Sequence, residues 1–179
     1  MLPDLQSRWD RLENLRHEME GVLQNWSPEQ LHFRPAPDKW SALQVLEHIV
    51  LSEFYTHRYM EKKRQASPDL RAPWYSGLLT GLLKLWLASP LKAQIPSQAV
   101  APGRFDNLDQ ILEHWQGVRA NLQQVLETFT PAQRRFPAYK HPFVGYQTPA
   151  QTLDFLYGHC RRHWRQILQR RQAPGFPGG

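Results

Sequence analysis

Cys160 is the only cysteine in the sequence. No internal disulfide can staple the chain, and a lone thiol fits a reducing compartment. Nowhere is there an apolar run of the roughly 20 residues that a membrane-spanning helix needs, so no span is expected. The segment Met1 to Arg16 carries charges throughout and lacks the apolar core of a signal peptide; export is not expected, and the expected localisation is cytoplasmic. Strict apolar–polar alternation, the mark of a half-buried strand, is missing over any useful length. Zinc fingers, helix-turn-helix patterns and aromatic RNA-binding strands are missing too. A net charge of +6 therefore does not point to nucleic acid. Its most basic cluster, Arg161, Arg162, Arg165, Arg170 and Arg171, falls at the end of a helical segment, where cations complement the helix dipole and face water.

What the chain does have is helical periodicity. With 179 residues, 41% hydrophobic and 21% charged, it has the size and balance of one globular domain. Leu5, Trp9, Leu12, Leu15 or Arg16, Met19, Val22 and Trp26 recur at three- and four-residue steps, an amphipathic stripe. From about Ser41 to Gln65 the chain is apolar on nearly every face, which predicts a central helix. A third stripe runs from Asn107 to about Thr128 through Ile111, Trp115, Val118, Leu122 and Leu126. A fourth runs from Thr148 to about Arg171 through Leu153, Leu156, Cys160, Trp164 and Ile167.

The helix starts are written in the sequence. Ser41 with Gln44, and Thr148 with Gln151, read as capping boxes, and Asn107 with Gln110 is a weaker relative. Ser27-Pro-Glu-Gln30 and Thr130-Pro-Ala-Gln133 read as single capped turns stopped by Pro35 and Pro137. One plan thus appears twice: long helix, short capped turn, proline-bearing loop, second long helix. The expected fold is all-α, a four-helix bundle of two helical hairpins over residues 1–172. An insertion, 66–106, separates the hairpins, and a tail, 173–179, is expected to be disordered. Within the insertion, Ser76 to Ala88 reads as a short helix with a wide apolar face ended by Pro90. A lid, a dimer surface and a membrane-surface helix are its candidate roles; the first two are favoured, because its polar side lacks Lys/Arg density.

The chemistry-bearing candidates are histidines. His159 and His163, four apart on a helix, point to one side. At ~100° per residue they fall on the flank of the stripe made by Leu156, Cys160, Trp164 and Ile167, while Asp154, Arg161, Arg162 and Arg165 are expected on the exposed side. His48, seven residues beyond its cap as the other two are eleven and fifteen beyond theirs, takes a similar place among Val45, Ile49 and Leu51. Polar rings at a core boundary are costly unless satisfied, and a metal would satisfy all three. Three neutral imidazoles leave a coordination position open, the arrangement of a working rather than a closed metal centre. His57 is expected on the opposite side of its helix, His114 away from the third stripe, and His17, His32 and His141 on the surface or in loops. Cys160 reads as a buried thiol rather than a ligand. Residue 160 also leaves no glutamate for the zinc-protease HExxH pattern, and the Glu-x-x-His pairs of a di-iron bundle are missing. Trp40, Tyr55 and Trp74 are candidate pocket walls.

Three stretches carry a family likeness: Pro37-Asp-Lys-Trp-Ser-Ala-Leu-Gln-Val-Leu-Glu-His48, His141-Pro-Phe-Val-Gly145, and His159 to His163 followed by Trp164-Arg165-Gln166-Ile167. With Leu31-His32-Phe33-Arg34-Pro35 closing a Ser-Pro-Glu-Gln turn, the chain resembles, over nearly its whole length, the DinB-like (YfiT-like) metalloenzymes. These are unrelated to the DNA polymerase that shares the name. The resemblance implies a four-helix bundle, a divalent metal held by His48, His159 and His163, and frequent dimerisation. For characterised relatives it implies transferases or isomerases that use low-molecular-weight thiols.

Two classes of function follow. In the first, a metal-dependent enzyme acts on a small-molecule substrate: Zn²⁺ or Ni²⁺, with Fe²⁺ not excluded by imidazole ligands, activates a low-molecular-weight thiol in an S-transferase or water in a hydrolase. In the second, the bundle is non-catalytic, either stabilised by its metal or serving as a dimeric binding module through the Leu-rich insertion.

Overall fold

The computed structural model describes residues 1–66, 70–89 and 98–178. Its long helices fall within a residue or two of the stretches that periodicity and capping mark out. They are α1 (Pro3–Leu23), α3 (Ala42–Ala66), α5 (Leu108–Glu127) and α6 (Pro149–Arg170), with the single turn α2 (Pro28–His32) and the shorter α4 (Ser76–Ala88) between them. The caps explain the agreement. Ser41 Oγ accepts from Gln44 N–H while Gln44 Oε1 accepts from Ser41 N–H, and Thr148 with Gln151 repeats the pair. Each box satisfies two backbone donors that a helix start would otherwise leave open. Asn107 caps α5 through Gln110 N–H, and Ser27 with Gln30 closes the box on α2. The stop assigned to Pro90 lies outside the described residues.

α6 packs against both α1 and α3, and α5 packs against α3 and more lightly against α1. The two histidine-bearing helices, α3 and α6, therefore lie side by side. One half of the core gathers Met19, Leu46, Ile49, Trp115, Cys160 and Ile167; the other gathers Leu12, Met60, Leu122, Leu126, Phe136 and Leu156. Each such large side chain, removed fully from water, contributes roughly 1.5–3 kcal/mol before chain entropy is set against it. Among the described residues no helix is long and apolar enough to cross a membrane.

One buried charge group crosses this core. Glu53 and Arg119, 1% and 2% exposed, form a two-pronged pair: Arg119 Nε donates to Glu53 Oε2 at 2.6 Å and Nη2 to Oε1 at 2.8 Å. Trp115 Nε1 donates to the same carboxylate at 2.8 Å, and Arg119 Nη1 reaches Glu13 on α1. Three helices are thereby fixed in register by groups that could not be buried singly. Cys160 is fully buried against Met19 Sδ, and burial pushes its thiol well above the ordinary range.

The structure departs from expectation at four places. A small antiparallel hairpin, β1 (Tyr139–His141) and β2 (Gly145–Gln147), precedes α6. Its three-residue strands are too short for alternation to register, and its turn rests on Gly145 at φ 72°. His141, expected on the surface or in a loop, is 6% exposed on β1, its ring 4.6 Å from that of Phe155. Asp154, expected in solvent, is 9% exposed because α1 and α4 cover it: Arg8, Arg11 and Lys84 all form ion pairs with its carboxylate. The tail, expected to be disordered, sets Phe176 edge-on to Trp26 and Phe33, with ring centres 5.3 and 5.4 Å apart, while Pro177 O accepts from Gln30.

Candidate metal centre

Ser41 starts α3, and two turns later the helix presents His48 toward α6; Thr148 starts α6, which presents His159 and His163 one turn apart. Side-by-side packing of α3 and α6 brings the three rings together. Their centres lie 5.2 Å (His48–His159), 4.8 Å (His48–His163) and 4.4 Å (His159–His163) apart. One ring nitrogen from each lies within 4.8 Å of the others, and among the described residues no second group of three His, Cys, Asp or Glu converges this way. His48 is buried, whereas His159 and His163 are half-buried.

Hydrogen bonds decide which nitrogens face inward. His48 Nδ1 lies 2.8 Å from the carbonyl of Val100 and His163 Nδ1 lies 2.9 Å from Gln166 Oε1. Both partners are oxygens that only accept, so in each ring the proton sits on Nδ1 and the lone pair on Nε2. His163 Nε2 then meets His159 Nε2 at 3.1 Å. That contact holds only with a proton on His159 Nε2 or a cation between the two nitrogens. Ligand nitrogens at ~2.0–2.1 Å around a tetrahedral zinc are about 3.3 Å apart, so the His159–His163 edge already has a ligand spacing. The remaining edges are within 4.8 Å.

The rings are held neutral, the form in which imidazole ligates. Burial lowers His48 below the ordinary histidine value; burial and then the neighbouring His163 and His48 take His159 well below it; burial brings His163 down to about 3. The donor set, its tautomers and its charge state fit a divalent metal with an open position.

Around the rings stand residues that sequence reasoning left unassigned. Glu47, 1% exposed, accepts from the backbone N–H of Gly103 at 2.8 Å and of Arg104 at 2.7 Å. It thereby ties residues 98–104 to α3 and holds the Val100 carbonyl against His48. Gly103, at φ 125°, adopts a backbone conformation that side-chain-bearing residues resist. Gln166 could have been suspected from its three-residue spacing to His163; a backbone carbonyl such as Val100 leaves no trace in sequence. Arg170 donates to Trp40 O at 2.9 Å and fixes the loop before α3 to α6.

Of the three candidate walls, Trp40 lines the centre, 5.3 Å from the His48 ring. Tyr55 pairs with Arg104 instead, and Trp74 is 85% exposed at the start of α4. Phe155, unassigned from sequence, stands 5.6 Å from His159. His57, placed on the far side of α3, does lie away from the cluster but is buried at 3% exposure beside Phe54, its Nε2 without a partner. His114 rests on Phe54 and Phe105.

The comparisons with known proteins return the four-helix bundle. The family model described as DinB superfamily matches residues 11–167, so the chain belongs to the DinB superfamily. Among solved structures it is similar to "TT2238, a four-helix bundle protein", with a TM-score of 0.61 and 20% identity over 92% of this chain and 98% of that one. At that identity the likeness concerns the fold. No curated protein matches.

Proposed function

We propose that the chain is a metal-dependent enzyme in which Nε2 of His48, a ring nitrogen of His159 and Nε2 of His163 hold one divalent metal, Zn²⁺ or Ni²⁺ before Fe²⁺. The observation that carries this reading is the pair of outer hydrogen bonds, from His48 Nδ1 to Val100 O and from His163 Nδ1 to Gln166 Oε1, that leave both Nε2 lone pairs turned inward. When bound, the metal supplies Lewis acidity that lowers the pKa of a thiol or water in the open position. The residues do the rest. A small molecule would meet the half-buried His159 and His163, Trp40 and Phe155 would give it apolar walls, and buried surroundings would strengthen electrostatic contact with the reacting group. No protein side chain is assigned as general base.

Low-molecular-weight thiols fit this site better than water alone, because a soft sulfur suits the open position and the aromatic walls suit a small electrophile. The test is Co²⁺-loaded protein titrated with cysteine-type small thiols. A sulfur-to-cobalt charge-transfer absorption that saturates with thiol, and is lost in His163→Ala, is expected, followed by thiol-dependent turnover of electrophilic substrates. Loading without that absorption, together with hydrolysis of an ester or amide panel, would move the reading to water activation. Loading that only raises thermal stability, with every panel silent, would leave a metal-stabilised bundle without catalysis.

A further inference from the structure

α3 and α5 run parallel, with Glu53 paired to Arg119 midway and Arg64 reaching Thr128 near their C-terminal ends. Beyond the buried pair a cavity of about 300 Å³ lies between them, where His57, Arg58 and Arg64 of α3 meet Asn121, Gln124 and Thr128 of α5. The α5 residues, with Val125, recur at the three- and four-residue steps of one helix face. A face turned toward a neighbouring helix is ordinarily apolar; here only Val125 is. The cavity is separate from the metal centre. His57 follows His48 by nine residues, which puts it on the opposite side of α3 at ~100° per residue, and no lining residue belongs to the three-histidine cluster. Within the cavity wall His57 is 3% exposed and its Nε2 has no partner among the described residues. A buried nitrogen is almost always paired, and leaving one open is costly; a polar group of a ligand in the cavity would supply the partner.

We propose that this cavity is a second ligand site, taking a small monocarboxylate with a polar body. The lining sets the sign of the ligand's charge. Arg58 and Arg64 bring two guanidiniums, whereas Glu61, 3.5 Å from Arg58, brings the one carboxylate, so a single positive charge is left over. Arg64 is the guanidinium best placed to take a ligand. Its contact with Thr128 O is 3.4 Å long, at the outer limit of a hydrogen bond, and its planar fork matches the two oxygens of a carboxylate. One net positive charge complements one negative charge, and Glu61 opposes the second charge of a phosphate or dicarboxylate. The amides of Asn121 and Gln124 both donate and accept, and with His57 Nε2 they give the ligand's hydroxyl or amino groups their partners. The volume stands at the small end of small-molecule sites, which excludes a nucleotide-sized ligand.

Titration of the ¹⁵N-labelled full chain with lactate, glycerate and gluconate, followed by two-dimensional NMR, reads the site directly. At least one of the three should shift the side-chain NH₂ signals of Asn121 and Gln124 saturably, with a Kd of about 1 mM or below, while the Gln166 signal beside the metal centre stays in place. Arg64→Gln, which leaves the backbone spectrum unchanged, should weaken binding about tenfold or more, and His57→Leu should weaken it as well. Sorbitol, a polar body without a carboxylate, should give no saturable shift, and inorganic phosphate should bind more weakly than the best carboxylate. No saturable shift with any of the three up to ~20 mM overturns the proposal, as does an Arg64→Gln protein that binds within twofold of wild type. Shifts at Gln166 without shifts at Asn121 and Gln124 would assign the carboxylate to the metal centre instead. Phosphate binding as tightly as the best carboxylate overturns the choice of ligand, and unweakened binding by His57→Leu overturns the part given to His57.

Discussion

Removing the Glu47 carboxylate should loosen the metal centre without touching a ligand. In Glu47→Ala the N–H groups of Gly103 and Arg104 lose an acceptor at 2.8 and 2.7 Å. Hydrogen bonds to a charged acceptor contribute roughly 1.5–3 kcal/mol each. Both donors belong to exposed residues that water can reach, so the combined loss is discounted to about 2 kcal/mol. That energy holds Val100 O against His48 Nδ1, and without it the imidazole is free to turn or to exchange its proton between nitrogens. Loss of an outer hydrogen bond to a ligating histidine weakens metal binding about 10–100-fold, or ~1.4–2.8 kcal/mol, in line with the loop energy. Glu47→Gln keeps one acceptor and should lose about half as much free energy. The assay is competition for Zn²⁺ between apoprotein and a chromogenic chelator, with circular dichroism to confirm that each variant is folded. A folded Glu47→Ala protein whose Kd stays within twofold of wild type would refute the reasoning that Glu47 positions His48 through Val100.

Three further outcomes follow from the packing. Arg119→Met removes one partner of a fully buried pair and strands Glu53; the expected cost is about 3–5 kcal/mol, a fall in Tm of roughly 10 °C or more for a chain of this size, and a denaturation midpoint close to wild type would contradict it. His57 and His141 are each pushed down to about 4 by burial. The unfolded chain takes up their protons below about pH 6.5 while the folded chain does not until about 4, so stability is intact above pH 6.5 and drains as pH falls toward 4. In urea titrations of metal-free protein, His57→Leu should recover about 1–2 kcal/mol of the loss between pH 7 and pH 5, and an unchanged loss would show that His57 does not contribute. Phe176→Ala should lower stability by about 1 kcal/mol through two edge-to-face contacts, seen as a few degrees in Tm; no change would mean that the tail adds nothing to the bundle.

The long helices were legible because their burial stripes are dictated by periodicity and their starts by side chains that hydrogen-bond locally, as at Ser41 and Thr148. The three histidines were legible for the same reason: helix geometry alone fixes which way they point. What escaped were features set by contacts distant in sequence. Asp154 is polar and occupies the outer side of α6, and the arrival of α1 with Arg8 and Arg11 and of α4 with Lys84 buries it. His141 is enclosed because a three-residue hairpin folds over Phe155. Arg119 would read as a solvated cation, yet Glu53, sixty-six residues away, makes its burial tolerable. Glu47 resembles any helical glutamate until residues 98–104 return to it. The outer support of the site is therefore the least readable part of it, since a backbone carbonyl can come from any residue.

The most direct test of the account is the metal content of protein purified without an affinity tag, measured by mass spectrometry on wild type, His48→Ala and His159→Ala. Close to one divalent metal per chain in wild type, and a small fraction of that in both variants, is the predicted result. A wild type that carries no metal, takes up none from Zn²⁺ or Ni²⁺ and gains no thermal stability from either would contradict it.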